Sequence, residues 1–141
     1  KATSSNEEAL DLLLEKARLL FDHTDQTEVA SELLEQVLRS SPHHIQALLL
    51  LERVALAAGD DEELQRAWSG LSVVSSMAGR RVEYLLNLAQ LEQKKDRPAT
   101  DRLLSWFAST VDSGACDAWT LNRWERVALQ TESPALQGAV L

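Results

Sequence analysis

The sequence predicts an all-α fold made of short helical hairpins, and both composition and periodicity support this prediction. The 141 residues include 26 leucines and 18 alanines, but only 5 glycines and 3 prolines. Leucine and alanine favour helices, whereas a β-sandwich would need more turn residues and more β-branched side chains. In the first segment Leu10, Leu13, Leu14 and Ala17 recur at intervals of three or four residues, which is the helical period.

Start and stop signals divide the chain into eight helical segments. A serine or aspartate followed three residues later by glutamate forms a capping box, and a glycine after the last turn favours a left-handed helix end. Ser41-Pro42 reads as an N-cap followed by proline at the first helical position, and Asp96-Arg97-Pro98 reads as a break. The predicted helices run from the capping boxes at Ser4 and Ser5 to about Asp22, from Asp25 to Ser40, from Ser41 to Ala58 before Gly59, from Asp60 to Gly79, over about 80–95, from Pro98 to Val111, from Asp117 onward, and from Ser133-Pro134 to the chain end.

The helix lengths favour hairpins over a four-helix bundle. Each predicted helix has about 15 residues and is about 23 Å long. A bundle of this chain length would need helices nearly twice as long, and short loops join antiparallel neighbours. We therefore expect one helical-repeat domain over residues 1–141, with units at about 5–41, 42–79, 80–115 and 116–141. The last unit is truncated, and we expect the chain to be a fragment of a longer array.

A repeated pentapeptide supports these units. Residues 52–56 read Glu-Arg-Val-Ala-Leu, and the same five letters recur at 125–129, 73 residues later. This spacing is two periods of about 36 residues, with 15–19 and 87–91 in the corresponding places of the other units. Four hairpins in phase, with similar start and stop signals, indicate an internal helical repeat.

The second unit carries a recognisable pattern of a small residue, a Gly-Asp turn and three apolar positions: Ala55, Gly59, Asp60, Leu64, Trp68 and Leu71. With this pattern, the stretch from Ala47 to Ser76 resembles a tetratricopeptide repeat, whose unit is two antiparallel helices. The resemblance extends from about Leu10 to the C-terminus. It implies a right-handed α-solenoid whose first helices line a concave groove, and a non-catalytic role as a scaffold for protein–protein interaction.

The resemblance also implies which residues line that groove. They lie about one helical turn apart on the first helix of each unit: Leu14, Arg18, Phe21, Gln46, Leu49, Arg53, Leu56, Leu86, Gln90, Trp119, Asn122 and Arg126. The leucines offer an apolar track, and the arginines offer forked donors for carboxylates. This combination suits an amphipathic helix or an extended acidic peptide of a partner protein.

Two other interpretations of these positions stay open. In the first, a neighbouring element buries the leucines, and the arginines pair with Glu15, Glu52 and Glu125. In the second, the chain is a repeat domain of a bacterial envelope or export assembly that contacts a polysaccharide or another non-protein polymer. Exposed aromatic rings and carboxylates in the groove would favour the polymer, whereas leucines with arginines favour a peptide.

The residue inventory argues against catalysis. The histidines His23, His43 and His44 lie at predicted helix boundaries, and Cys116 has no Cys or His within four residues. The sequence contains no Glu-x-x-His, His-Glu-x-x-His, Gly-x-Gly-x-x-Gly or Walker motif. We therefore expect no enzyme activity, no metal site and no cofactor.

Charge and hydropathy restrict the partners. A net charge of −8 disfavours binding to nucleic-acid phosphates, and no apolar run is long enough to span a membrane. Residues 1–65 carry 14 acids and 5 bases, whereas residues 66–141 carry 8 acids and 9 bases. This asymmetry indicates two electrostatically different surfaces that can steer a partner. The cytoplasm and the bacterial periplasm are both compatible with these residues.

The last eight residues form an uncharged segment that begins at Pro134. Terminal units of a helical array need polar outer faces, because each unit otherwise buries its face against the next. We therefore expect an uncapped C-terminal end, and self-association of the chain through it.

Overall fold

The structure is a computed structural model that describes residues 2–141, with side chains described from Asn6 onward. Within this range the secondary structure consists of eight α-helices: α1 (Ala2–His23), α2 (Thr27–Ser40), α3 (Ile45–Ala58), α4 (Asp61–Val74), α5 (Ala78–Gln93), α6 (Thr100–Asp112), α7 (Ala118–Thr131) and α8 (Pro134–Val140). The predicted all-α class is therefore confirmed. None of these eight helices is both long and apolar enough to cross a membrane.

The helices pack in consecutive antiparallel pairs, which is consistent with the predicted hairpins, whereas the assembly of these hairpins into a solenoid stays a prediction. The close pairs include α1 with α2, α5 with α6, and α7 with α8. Helix α4 reaches α3 through the indole Nε1 of Trp68, which donates to a Glu52 oxygen at 2.5 Å. A Cβ on Gly70 would lie 2.8 Å from a Leu48 methyl, so the missing side chain lets α4 approach α3 closely.

Four of the predicted helix boundaries have the expected chemistry, among them the start of α4, where the Asp60 side chain accepts the N–H of Glu63 at 3.2 Å. Gly59 follows α3 with φ 68°, in the left-handed region that ends a helix most easily at glycine. The Asp117 side chain accepts the N–H of Thr120 at 2.8 Å, and the hydroxyl of Ser133 accepts the N–H of Leu136 at 3.3 Å. These local signals therefore predicted the C-terminal end of α3 and the N-terminal starts of α4, α7 and α8 correctly.

Helix α3 begins later than predicted. It starts at Ile45, and its N-cap is His44, whose Nδ1 accepts the N–H of Ala47 at 3.2 Å. Pro42 lies in a turn before the helix. The N–H of His44 closes this turn by donating to the Ser41 carbonyl at 3.1 Å.

The end of α4 also differs from the prediction. Helix α4 ends at Val74 rather than Gly79, and Arg81 donates to the carbonyl oxygens of Ser75 and Ser76 at 2.9 and 3.1 Å. An arginine from α5 thus satisfies acceptors beyond the end of α4, which no local pattern indicates.

The capping boxes predicted at the first two helices do not mark their starts. Helix α1 begins at Ala2, upstream of Ser4 and Ser5, whose side chains lie outside the described residues. Helix α2 begins at Thr27 after Gln26, and no side chain caps it, so the predicted cap at Asp25 is wrong.

The chain divides into two compact units, one ending at Gly70 and the other spanning Leu71–Leu141. In the first unit α3 packs against both α1 and α2. Its apolar core consists of small and branched side chains, among them Ala17, Ala30, Leu34, Val37, Leu48 and Ala67. The second unit has a core built from Val82, Leu86, Ala89, Leu103, Phe107, Trp124, Val127, Ala128, Leu136 and Val140.

The apolar face of α8 packs against its own unit. Leu136 and Val140 are buried in the core of the second unit, where α8 packs against α6 and α7. The expectation of an uncapped apolar end is therefore wrong: the helix folds back onto its own unit, and Leu141, which follows the helix, stays 67% exposed. The predicted self-association loses the observation that motivated it.

We predict opposite effects for alanine at Gly59 and at Gly79. Gly59→Ala should destabilise the protein by about 1 kcal/mol, because alanine is strained in the left-handed region. Gly79 lies in the first turn of α5 in open space, so Gly79→Ala should stabilise the protein by up to about 1 kcal/mol. Urea unfolding followed by circular dichroism measures both; equal shifts would contradict the assigned end of α3.

Candidate interaction grooves

The first groove lies between α1 and α3 in the first unit and has a volume of about 400 Å³. The residues that line it are Asp11, Leu14, Glu15 and Arg18 of α1 with Gln46, Leu49, Leu50 and Arg53 of α3. On each helix they are spaced by three or four residues, so one face of each helix lines the groove. The structure thus brings together five of the predicted residues: Leu14, Arg18, Gln46, Leu49 and Arg53.

Asp22, near the end of α1, links the two arginines of this groove. The Arg18 guanidinium donates to both oxygens of Glu15 at 2.5 and 3.1 Å, and to Asp22 at 3.4 Å. The hydrogen bond from Arg18 lowers the pKa of the Glu15 carboxyl. Arg53 forms an ion pair with the same Asp22, and its guanidinium carbon lies 5.4 Å from the centre of the Phe21 ring. The two arginine side chains remain 44% and 49% exposed, so both can still meet a ligand.

The pairing expected from sequence neighbours is found for only one of these arginines. Arg18 does pair with Glu15, whereas Arg53 does not pair with Glu52, which instead accepts the Trp68 indole. The groove leucines Leu14 and Leu49 are only partly buried. The floor of the groove is therefore apolar and accessible.

The second groove lies between α5 and α7 in the second unit and has a volume of about 480 Å³. The residues that line it are Gln90 and Gln93 of α5, Lys94 directly after α5, and Arg123, Arg126, Val127 and Gln130 of α7. Three of these seven side chains are cationic, three are amides, and none of the seven is a carboxylate. The amides of Gln93 and Gln130 are hydrogen-bonded to each other across the groove.

The cations of this groove differ in their partners. Arg123 donates to both oxygens of Glu83 at 3.0 and 3.2 Å, and its guanidinium carbon lies 4.8 Å from the centre of the Trp119 ring. Lys94 and Arg126 have no ion pair or hydrogen bond with any side chain that the structure describes. An anionic group entering the groove would meet these two charges without displacing an internal partner.

The repeated pentapeptide places the same residue in both grooves. Arg53 in the first copy lines the α1–α3 groove, and Arg126 in the second copy lines the α5–α7 groove. The following Val and Ala are buried in both copies, and the final Leu is exposed in both. The two copies therefore have the same orientation relative to the core of their own unit.

Several predicted residues line neither groove. Leu86 is fully buried in the core of the second unit and is not accessible to a partner. Phe21 lies beneath Arg53, beside the first groove. Leu56, Asn122 and Trp119 are exposed but lie outside the two sets of lining residues.

Sequence reasoning missed Arg123 as a groove residue. The predicted positions on α7 followed the spacing 119, 122 and 126, whereas the groove is lined at 123, 126, 127 and 130. The sequence pattern that could have indicated Arg123 is the series 119, 123, 126 and 130. These positions follow one face of a helix, and two of the four are arginines, Arg123 and Arg126.

Among the residues that the structure describes, the surroundings of Cys116 disfavour the thiolate, and the carboxylates form no metal-binding cluster. Burial raises the pKa of the Cys116 thiol, which favours the protonated and weakly nucleophilic form. Among the described residues, no three His, Cys, Asp or Glu side chains are grouped closely enough to hold a metal ion.

No family model, no curated protein and no solved structure matches this chain significantly.

Proposed function

We propose that the chain is a non-catalytic scaffold for protein–protein interaction, similar to the tetratricopeptide-repeat solenoids, which binds a peptide or helix of a partner through the grooves between its first helices. The observation that carries this proposal is the repeated arginine, Arg53 and Arg126, which lines a groove in each unit. An exposed arginine at equivalent places of two grooves suits recognition of carboxylates by its forked donors.

The α1–α3 groove supports a partner with both apolar and acidic groups. The partly buried Leu14 and Leu49 supply apolar surface, and Arg18 and Arg53 supply donors at its edge. An amphipathic helix presents apolar anchors at helical spacing with charged residues beside them. Such a segment can bury its anchors on the leucines while its carboxylates meet the arginines.

The α5–α7 groove supports an acidic segment. Lys94 and Arg126 are without internal partners, and the lining residues include no carboxylate that would repel an acidic ligand. Glutamine amides both donate and accept, so Gln90 can hydrogen-bond an extended backbone. The described residues that line this groove include neither an aromatic ring nor a carboxylate, and this favours a peptide over a sugar polymer.

The test uses the paired charge reversal Arg53→Glu plus Arg126→Glu. A random peptide library displayed on phage is selected on the intact chain, and the binding of an enriched peptide is measured by fluorescence anisotropy. We expect enriched peptides to be acidic and to bind the double variant at least tenfold more weakly. The melting temperature should change by less than about 5 °C, because exposed ion pairs contribute about 0–1 kcal/mol.

The matched control is Arg39→Glu plus Arg97→Glu, which makes the same change in charge at exposed arginines outside both grooves. It should bind the enriched peptide with no more than a twofold change. An equal loss in the control and the groove variant, or no enrichment from the library, would overturn the proposal.

A further inference from the structure

A third groove, which the sequence analysis did not anticipate, lies on another face of α3. It has a volume of about 530 Å³ and belongs to the first unit. Its apolar floor is formed on α3 at positions 51, 54, 55 and 58, whereas the α1–α3 groove uses positions 46, 49, 50 and 53. The two sets are offset by five residues, which is a rotation of about 140° around the helix. The third groove is therefore a separate surface.

The rim of this groove is acidic. The carboxylates that line it come from α2, from α4 and from the residue before α4: Glu28, Glu32, Glu35, Asp60 and Glu63. The described lining residues include no lysine, arginine or histidine. Five of the 14 acidic residues in positions 1–65 thus lie around one apolar floor.

Part of this charge is left uncompensated. Arg66 forms an ion pair with Glu35 and lies 3.5 Å from Glu63. Glu28 and Glu32 have no ion pair or hydrogen bond with the side chains that the structure describes. They are one turn apart on α2, where like charges repel each other. A cationic ligand would remove this repulsion on binding.

The arrangement suits a row of cations rather than a single metal ion. No three carboxylates among the described residues are close enough to share an ion, so these charges act at separate points along the groove. The apolar strip beside them consists of the exposed Ala58 and of the edges of Leu51, Val54 and Ala55, which are 2–7% exposed. A ligand that matches both features has apolar side chains along one stripe and lysine or arginine beside it.

We propose that this groove docks a basic amphipathic helix of a partner protein, with its apolar stripe on the α3 floor and its cations facing Glu28 and Glu32. The site is independent of the scaffold function proposed for the other two grooves, because it uses different residues and the opposite charge. Apolar contact supplies affinity, and charge complementarity supplies orientation and rate of association.

The probe is a synthetic 18-residue helical peptide of leucine and lysine, with leucines at helical spacing and a fluorescent label. We expect it to bind the intact chain with an affinity that falls as salt rises, whereas the same peptide with glutamate in place of lysine should not bind. Glu28→Lys plus Glu32→Lys should weaken binding at least tenfold. Glu28→Gln plus Glu32→Gln, which removes charge without reversing it, should weaken binding at least threefold.

Two control variants distinguish this site from the alternatives. Glu7→Lys plus Glu8→Lys makes the same charge change at exposed positions of α1, outside this groove, and should alter the affinity by less than twofold. Arg53→Glu plus Arg126→Glu should leave binding of the basic peptide intact even though it weakens acidic peptides. The proposal is overturned if the α1 control loses as much affinity as the groove variants, if the glutamine variant binds like the wild type, or if the intact chain does not bind the leucine–lysine peptide.

Discussion

Replacing Trp124 by alanine is expected to destabilise the second unit by about 3–5 kcal/mol, which is the usual cost of truncating a large aromatic side chain in a core. Trp124 is completely buried, and its ring meets Phe107 edge to face with centroids 5.4 Å apart. Its indole N–H donates to the Thr110 hydroxyl at 3.2 Å, and that hydroxyl donates to the Trp106 carbonyl at 2.9 Å. The substitution removes both the packing and the polar link from α7 to α6.

Trp119 provides the control, because it is on the same helix and is 62% exposed. Trp119→Ala should cost less than about 1 kcal/mol, since it removes only a surface contact with Arg123. The measurement is urea unfolding followed by circular dichroism at 222 nm, compared among the three proteins. Similar midpoints for the two variants would show that Trp124 does not anchor the core as described.

The fold class followed from the sequence because helix formation here is largely local. Leucine spacing defines the helices, and Gly59, Asp117 and Ser133 end or begin them through contacts with residues at most four positions away. The misplaced boundaries have two different causes, a contact from the next helix and a turn that precedes the helix. The carbonyls beyond α4 are satisfied by Arg81 from the next helix, and the proline at 42 is excluded from α3 by a turn closed at His44.

The grooves were predicted less completely than the fold, because a groove depends on which faces of two helices meet. Repetition of the pentapeptide was enough to place Arg53 and Arg126 on exposed faces. It did not show that Leu86 belongs to the core. A leucine one helical turn from exposed positions can lie either on the groove surface or in the buried core, and the sequence does not distinguish the two. The acidic groove escaped prediction because its carboxylates, such as Glu28 and Asp60, are far apart in sequence and are brought together by packing of α2 against α3.

Glu92 is the buried charged residue that joins α5 to α6 in the second unit. It is 2% exposed, yet its carboxylate is fully engaged. One oxygen accepts the backbone N–H of Ala99 at 3.0 Å, and the other accepts from Lys95 at 3.0 Å and lies 3.5 Å from Arg102. Ala99 is the N-cap residue of α6 and its side chain caps no N–H of the first turn, whereas Glu92 from the preceding helix accepts the N–H of Ala99 itself.

The protonation of Glu92 links this contact to pH. Burial raises the pKa of the Glu92 carboxyl, but the Ala99 N–H and the charges of Lys95 and Arg102 lower it by more, so the pKa lies below its ordinary value. As pH falls, the unfolded chain therefore binds this proton before the folded chain does. The stabilisation by Glu92 is complete above the unfolded pKa of about 4.3 and is lost as pH falls through the lower folded value.

We therefore expect Glu92→Ala to destabilise the protein by about 1–3 kcal/mol at pH 7, because it leaves the Ala99 N–H without its acceptor. The difference from the wild type should shrink as the pH is lowered from 7 to 3, because the wild-type carboxylate also becomes protonated.

Glu83→Ala is the matched control: Glu83 is on the same helix, but its side chain is 50% exposed in a surface pair with Arg123. Its loss should cost less than about 1 kcal/mol. Urea unfolding at pH 7, 5 and 3 measures all three proteins, and a Glu92→Ala deficit that stays constant with pH would show that the ionised carboxylate is not what joins these helices.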